Sequence, residues 1–139
     1  MAQAIFTQGK KEALIAIFTR YNYLALGYSQ DISGSFDPND PQSDSAQAFN
    51  ELSDSVGYFR VPFGSVDEAT FTDNDDNTVT MTLKADVDTT NINQQQNINQ
   101  FAICGSSTTG DTDLYCAGNF TEFTKDNTTG LTFVIEIVL

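Results

Sequence analysis

The sequence predicts a mainly β protein: an antiparallel two-sheet sandwich, or a barrel, of about seven or eight strands with one N-terminal amphipathic helix. Several segments alternate apolar and polar residues, as half-buried strands do, and the last of them is Leu131 to Leu139. These segments recur at short, even spacing between turn residues. Residues before Tyr21 follow a helical spacing instead.

The helix is expected from about Lys10 to Thr19. Its apolar face follows the i, i+3, i+4, i+7 spacing and consists of Leu14, Ile17, Phe18 and Tyr21. Gly9, or Thr7 before it, is the expected N-cap, and Glu12 stands where a capping-box acid would lie. We expect the apolar face to pack on the sheet or on a neighbouring subunit.

The remaining elements are predicted from two signals: apolar residues that recur with a period of two, and the turn residues that separate these segments. The expected strands are Tyr21 to Tyr28, Tyr58 to Phe63, Phe71 to Thr72, Thr78 to Val87, Ile98 to Gly105, Leu114 to Phe120 and Leu131 to Leu139. A short helical turn is expected at Ala46 to Leu52. Pro62 has no N–H to donate, so its strand should lie at a sheet edge or end there.

The final segment is the strongest strand signal. One side consists of Leu131, Phe133, Ile135, Ile137 and Leu139, and the other of Thr132, Val134, Glu136 and Val138. An unpaired strand this apolar would aggregate, so it should be paired in a sheet or covered by a partner.

The length and net charge of the chain limit its domain count and its classes of partner. The 139 residues are expected to form one domain, 1–139, with an arm and helix in 1–20 and the β-sandwich in 21–139. Nineteen acidic and six basic residues give a net charge of −13. Nucleic-acid and membrane partners both require clustered basic residues, so we expect neither. The start of the chain lacks a signal-peptide pattern, which favours synthesis in a cytoplasm.

One acidic turn resembles half of a calcium loop. Asp73, Asp75 and Asn77 occupy alternate positions, as in the first half of such a loop. Thr78 then stands where glycine is needed, and Lys84 where glutamate is needed. Asp and Asn are also ordinary hairpin-turn residues. We therefore predict a plain turn, with weak calcium binding as the alternative and no metal cofactor.

The two cysteines flank the second predicted hairpin. Cys104 and Cys116 are equidistant from Gly110 in the sequence, so a symmetric register would place them opposite each other. Such a pair could form a cross-strand disulfide if its geometry were suitable. In a reducing cytoplasm, two free thiols are the default, and a disulfide is the alternative.

Catalytic residues are scarce. The chain contains no histidine, which excludes Ser-His and Cys-His nucleophile arrangements. Carboxylate pairs occur in any acidic protein and signal little, so we expect no enzyme and no cofactor.

The tyrosines offer a binding alternative. Tyr21, Tyr23, Tyr28 and Tyr58, with the amide- and acid-rich loops, could form a sugar-binding surface on which Tyr23 and Tyr58 contact glycan. Tyrosines at the rim of the core, with their hydroxyls in water, are the simpler interpretation.

The order of motifs resembles small bacteriophage virion proteins of the tail-fibre and baseplate type. The residues of this resemblance are Tyr23-Leu-Ala-Leu-Gly27, Asn50-Glu51-Leu52, Tyr58-Phe-Arg-Val-Pro-Phe63, Ile98-Asn-Gln-Phe-Ala-Ile-Cys-Gly105 and Leu114-Tyr-Cys-Ala-Gly-Asn-Phe120. The sequence departs from the family pattern at Gln100, where Glu is common, and at Cys116-Ala117, where Ala-Arg is missing.

The resemblance implies a non-enzymatic virion subunit at the tail, baseplate or fibre attachment, made in the host cytoplasm. A capsid decoration protein and a host-glycan-binding module are the alternatives. The expected partners are other copies of the chain and other virion proteins. The residues expected at these contacts are Ile5, Phe6, Leu14, Ile17, Phe18, Val138 and Leu139.

Overall fold

A computed structural model describes residues 4–30, 36, 49–64 and 70–139. In these residues the chain forms one α-helix, one 3₁₀ turn and seven strands. They are α1 (Thr7–Arg20), β1 (Tyr23–Gly27), the 3₁₀ turn (Asp54–Val56), β2 (Val61–Pro62), β3 (Phe71–Asp73), β4 (Val79–Val87), β5 (Gln96–Cys104), β6 (Leu114–Lys125) and β7 (Leu131–Val138).

The described strands form two antiparallel sheets that are not closed into a barrel, so the predicted mainly β, two-sheet fold is confirmed. The first sheet has the order β2-β1-β5-β6, and the second has the order β3-β4-β7. As predicted, Pro62 lies in an edge strand, where its missing N–H removes no ladder hydrogen bond.

The core lies between the sheets and receives side chains from both. The first sheet contributes Leu24, Leu26, Ile98 and Ile103, and the second contributes Met81, Leu83, Ala85 and Val87. Along β4 the residues with odd numbers are buried and those between them are not. The predicted alternation of this strand is therefore confirmed.

Helix α1 is longer than predicted and packs against its own sheets. Leu14 and Phe18 are 2% and 1% exposed and belong to the main core. The predicted cap at Gly9 or Thr7 is wrong: Phe6 is the N-cap, and its side chain forms no capping hydrogen bond. At the other end, Arg20 forms an ion pair of 2.8 Å with Asp113.

Strand β7 alternates as predicted and is paired in the second sheet. It is antiparallel to β4, with Leu131 opposite Val87. Leu139 continues the pairing, since it exchanges backbone hydrogen bonds of 3.0 and 3.1 Å with Val79. Within the described residues, no strand pairs with the other edge of β7.

A bulge in β6 assembles an aromatic cluster. Phe120 and Phe123 are three residues apart and would face opposite sides of a regular strand. The register shifts between the pairs Ile98–Phe123 and Gln100–Asn119, and β6 has more residues there than β5. Both rings therefore contact Phe133 of β7, with centroids 5.7 and 6.1 Å away. These contacts join an edge strand of the first sheet to an edge strand of the second.

Residues 49–52 differ from the prediction of a helical turn; residues 46–48 of that prediction lie outside the described residues. Glu51 forms an antiparallel bridge with Gly27, and the N–H of Leu52 donates to the carbonyl of Leu26 at 3.1 Å. The helical prediction is wrong here because this backbone pairs with the open edge of β1. A Cβ on Gly27 would lie 2.4 Å from the carbonyl oxygen of Asn50, so only glycine permits this approach.

Several surface turns share an Asp-x-Thr arrangement. In each, the Asp Oδ1 accepts hydrogen bonds from the backbone N–H and the hydroxyl of the Thr two residues later. The pairs are Asp76–Thr78, Asp88–Thr90 and Asp126–Thr128. These bonds lower the pKa of each of the three carboxyl groups, and the bond from the threonine hydroxyl has the largest effect.

Phe18→Ala should lower the free energy of unfolding by about 3–5 kcal/mol, because it opens a cavity under α1. Urea denaturation measures this loss. Phe59→Ala is the matched control, since Phe59 is 45% exposed, and it should cost about 1 kcal/mol or less. Equal losses in the two variants would contradict the placement of α1 on the core.

Acid should destabilise the Asp-x-Thr turns. A carboxyl group with a lowered pKa in the folded state adds stability above its ordinary pKa and loses it as the pH falls toward the folded value. The thermal midpoint of the wild type should therefore fall between about pH 5 and about pH 3 more than that of a triple Asp→Asn variant at residues 76, 88 and 126. Asparagine accepts the same bonds without titrating. Parallel pH profiles would refute this effect.

Candidate functional site

A buried ion pair forms the centre of the candidate site. Glu51, in the segment beside β1, faces Arg60, which directly precedes β2. The Nε of Arg60 donates to Oε2 of Glu51 at 2.8 Å, and Nη2 donates to Oε1 at 2.9 Å. The Arg60 side chain is 0% exposed and that of Glu51 is 11% exposed. The pair is bidentate, which suits the planar guanidinium.

The same pair holds the loop between β5 and β6. Arg60 also donates to the carbonyl oxygens of Ser106 and Asp111, at 3.0 and 2.7 Å. The backbone N–H of Gly110 donates to Oε1 of Glu51 at 2.8 Å. Burial acts to lower the pKa of Arg60, but the hydrogen bonds and charge of Glu51 contribute to a net rise. Arg60 therefore remains a cation that is shared between a carboxylate and two carbonyls.

Tyr58 links the ion pair to β1. Its hydroxyl accepts from the N–H of Leu26 at 2.9 Å and donates to Oε2 of Glu51 at 2.7 Å. Burial, followed by the charge of Glu51, raises the pKa of Tyr58, so the phenol stays protonated. The residue is only 2% exposed. The predicted glycan contact by Tyr58 is therefore wrong, because the side chain is used inside the fold.

Tyr23 also takes part in packing within the fold. It is half-buried and packs against a small second cluster formed by Ala25, Ala102 and Cys104. This cluster lies on the face of β1 that points away from the main core. Tyr23→Ala would therefore remove packing within the fold as well as any surface contact.

A polar groove of about 530 Å³ opens beside Glu51. Its lining includes Tyr28, Asn50, Glu51, Ser53, Gln95 and Asn97. One wall comes from the end of β1 and the segment paired with it, and the other comes from the start of β5 and the residues before it. The groove is thus formed by residues distant in sequence.

Backbone pairing holds the first wall in place. The N–H of Tyr28 donates to the carbonyl of Asn50 at 3.0 Å, and Nδ2 of Asn50 donates back to the carbonyl of Tyr28 at 2.8 Å. The N–H of Asn50 donates to Oε1 of the buried Gln100 at 3.0 Å. These bonds fix the position of Asn50 relative to both β1 and β5.

The predicted calcium residues lie in the turn between β3 and β4. Asp75 and Asn77 adopt left-handed backbone conformations, and Oδ1 of Asp73 accepts from the N–H of Asp75 at 3.3 Å. The predicted turn is therefore present. Within the described residues, no group of three or more His, Cys, Asp or Glu side chains is arranged to hold a metal ion.

The two cysteines are free thiols, and the predicted facing pair does not form. A bulge places Cys104 opposite Leu114 and Ile103 opposite Cys116. Adjacent residues of a strand point to opposite faces, so the two thiols lie on different sides of the sheet. Burial raises the pKa of Cys104 to about 12, which keeps the thiol protonated and unreactive.

The predicted contact residues divide into two groups. Leu14 and Phe18 lie in the core of their own chain, and Ile17 packs against it, so this face packs on the sheet, which is the first of the two predicted alternatives. Burial leaves Leu14 and Phe18 unavailable for an intersubunit contact. Ile5 and Phe6 are 65% and 83% exposed. At the other end of the described chain, Val138 and Leu139 are 59% and 46% exposed.

Comparison of the chain with protein-family models, curated proteins and solved structures finds no match. In the described part of the chain, no helix has both the length and the apolar character needed to cross a bilayer.

The sequence contains the residue types of the groove, but no pattern in it indicates that these residues lie close together. The predictions group Tyr28 with tyrosines that the fold places elsewhere, and they assign Asn50 and Glu51 to a helical turn. The available signal was the position of Arg60 in the otherwise apolar segment Tyr58 to Phe63. Such a position indicates burial, and a buried arginine requires an acidic partner, here Glu51.

Glu51→Gln should lower the free energy of unfolding by about 3–5 kcal/mol, because it leaves the Arg60 cation buried without a counter-charge. Chemical denaturation at neutral pH measures the loss. Asp113→Asn is the matched control: it breaks the exposed pair with Arg20, whose side chain is 54% exposed, and should cost less than about 1 kcal/mol. An equally mild effect of Glu51→Gln would contradict the central role of the buried pair.

Proposed function

We propose that this protein is a non-enzymatic structural subunit of a bacteriophage virion, which assembles with copies of itself and with other virion proteins in the tail, baseplate or fibre-attachment region. The observation that supports self-assembly best is the exposed apolar arm, Ile5 and Phe6, directly before α1. The motif order described above supports the phage assignment.

The arm has the properties of a docking segment. Phe6 is in an extended conformation, with φ −69° and ψ 155°, and it is 83% exposed. Ile5 beside it is 65% exposed. Large adjacent apolar side chains in water cost free energy that burial against a partner recovers, at about 25 cal/mol per Å² of apolar surface. Scattered single apolar residues would need no such explanation.

Strand β7 offers a second contact surface. Val134 and Val138 are 55% and 59% exposed on its outer face, which also presents Thr132 and Glu136. Within the described residues the outer edge of β7 pairs with no strand. An unpaired edge can add a strand from a second chain through main-chain hydrogen bonds. The arm and this edge together provide the contacts for a repeated assembly.

The wild-type protein should form oligomers at micromolar concentration, and the double substitution Ile5→Ser, Phe6→Ser should weaken association at least about tenfold. Sedimentation velocity over a concentration series measures both. Phe59→Ser is the control, because Phe59 is also exposed but lies outside the arm and β7. A wild-type chain that remains monomeric throughout the series would refute self-assembly.

Location in the particle tests the virion assignment separately. Proteins of purified particles, fractionated into heads and tails, should include this chain in the tail fraction, and cryo-electron microscopy would locate it there. Recovery with the heads would instead identify a capsid decoration protein. Absence from purified particles would refute the virion role altogether.

A further inference from the structure

We propose that the polar groove lined by Tyr28, Asn50, Glu51, Ser53, Gln95 and Asn97 binds a neutral carbohydrate. Tyr28 would stack on a sugar ring, and the side-chain amides of Asn50 and Asn97 would form hydrogen bonds with its hydroxyl groups. This inference does not depend on the virion assignment, because it uses only the geometry and chemistry of the groove.

The charge of the groove selects the class of ligand. Among its described lining residues Glu51 is the one carboxylate, and its oxygens already accept from Arg60, Tyr58 and Gly110. Its negative charge is balanced by Arg60 at 2.8 Å. The same described lining contains no Lys or Arg, and so no cation for a phosphate, sulfate or carboxylate ligand. The remaining lining groups are amides, hydroxyls and apolar surface, which suit a neutral ligand rich in hydroxyls.

Two amides are held so that one presents an acceptor and the other a donor. Asn50 uses Nδ2 on the carbonyl of Tyr28, at 2.8 Å, and its Oδ1 remains as an acceptor. Asn97 accepts from the hydroxyl of Thr124 through Oδ1, at 3.0 Å, and its Nδ2 remains as a donor. A sugar hydroxyl both donates and accepts, so neighbouring hydroxyls of one ring can satisfy both amides. Because the amides are already oriented, binding requires little further ordering.

Tyr28 and Leu52 supply the apolar part of the groove. Both side chains are half-buried and line the cavity. The backbone of Tyr28 is held by Asn50 through both its N–H and its carbonyl. An aromatic side chain on an anchored backbone, beside oriented polar groups, suits the C–H face and the polar edge of a sugar ring. The volume of about 530 Å³ lies within the range usual for small-molecule sites.

The test uses neutral oligosaccharides of glucose, galactose, mannose, rhamnose, N-acetylglucosamine and N-acetylgalactosamine as probes, with sialyllactose as an acidic comparison. Saturation-transfer difference NMR detects binding, and isothermal titration calorimetry measures it. At least one neutral probe should bind, and sialyllactose should not bind more tightly than its uncharged counterpart, lactose. Asn97→Ala should weaken the best neutral probe about tenfold, since it removes a hydrogen-bond donor.

Asn127→Ala is the matched control, because it makes the same chemical change in an exposed turn outside the groove. It should leave the affinity unchanged. Tyr28→Ala should abolish saturation transfer to the sugar ring, and circular dichroism establishes that each variant retains its fold. Failure of every neutral probe to bind, or equal affinities for wild type and Asn97→Ala, would overturn the proposal. Tighter binding of the acidic probe would also overturn it, since the described lining offers no cation to an acidic sugar.

Discussion

The buried pair of Glu51 and Arg60 holds together the irregular segments of this structure. Removing two charges from water is costly, and the cost is offset only when every donor and acceptor finds a partner. Here the partners are the loop between β5 and β6 and Tyr58, whose hydroxyl in turn accepts from the backbone of β1. The pair therefore fixes where an irregular segment lies on the sheet, and the groove is formed where that segment meets β5.

Buried side-chain amides also anchor other irregular segments through hydrogen bonds to their backbone. Asn91 accepts from the N–H of Phe59 at 3.0 Å and donates to its carbonyl at 2.8 Å. Asn99 forms the same two bonds with Ser29, at 2.9 and 2.6 Å. Each amide replaces a strand partner, since it satisfies both backbone groups of one residue. The buried amides of Asn91 and Asn99 thus hold chain segments in place without adding strands.

The two proposed surfaces use different physics and lie on different elements. The apolar arm before α1 and the edge of β7 gain free energy by losing contact with water, which favours association between large surfaces. The groove instead offers oriented hydrogen-bonding groups, and the charge of its carboxylate, Glu51, is balanced by Arg60. The two proposals are therefore compatible, since assembly through the first surface would leave the second accessible to a small polar ligand.

For β4 and β7 the sequence was sufficient to identify the strand and its inward face, because alternation with a period of two reports the environment of each residue directly. Local chemistry also predicted the helix face that contains Leu14 and Phe18, through its spacing, and the edge position of Pro62, through its missing N–H. The register between strands, in contrast, followed from long-range contacts. Bulges between β5 and β6 separated Cys104 from Cys116, and long-range hydrogen bonds made Glu51 a bridge partner of β1. Such pairings depend on residues far apart in the chain, and no local pattern encodes them.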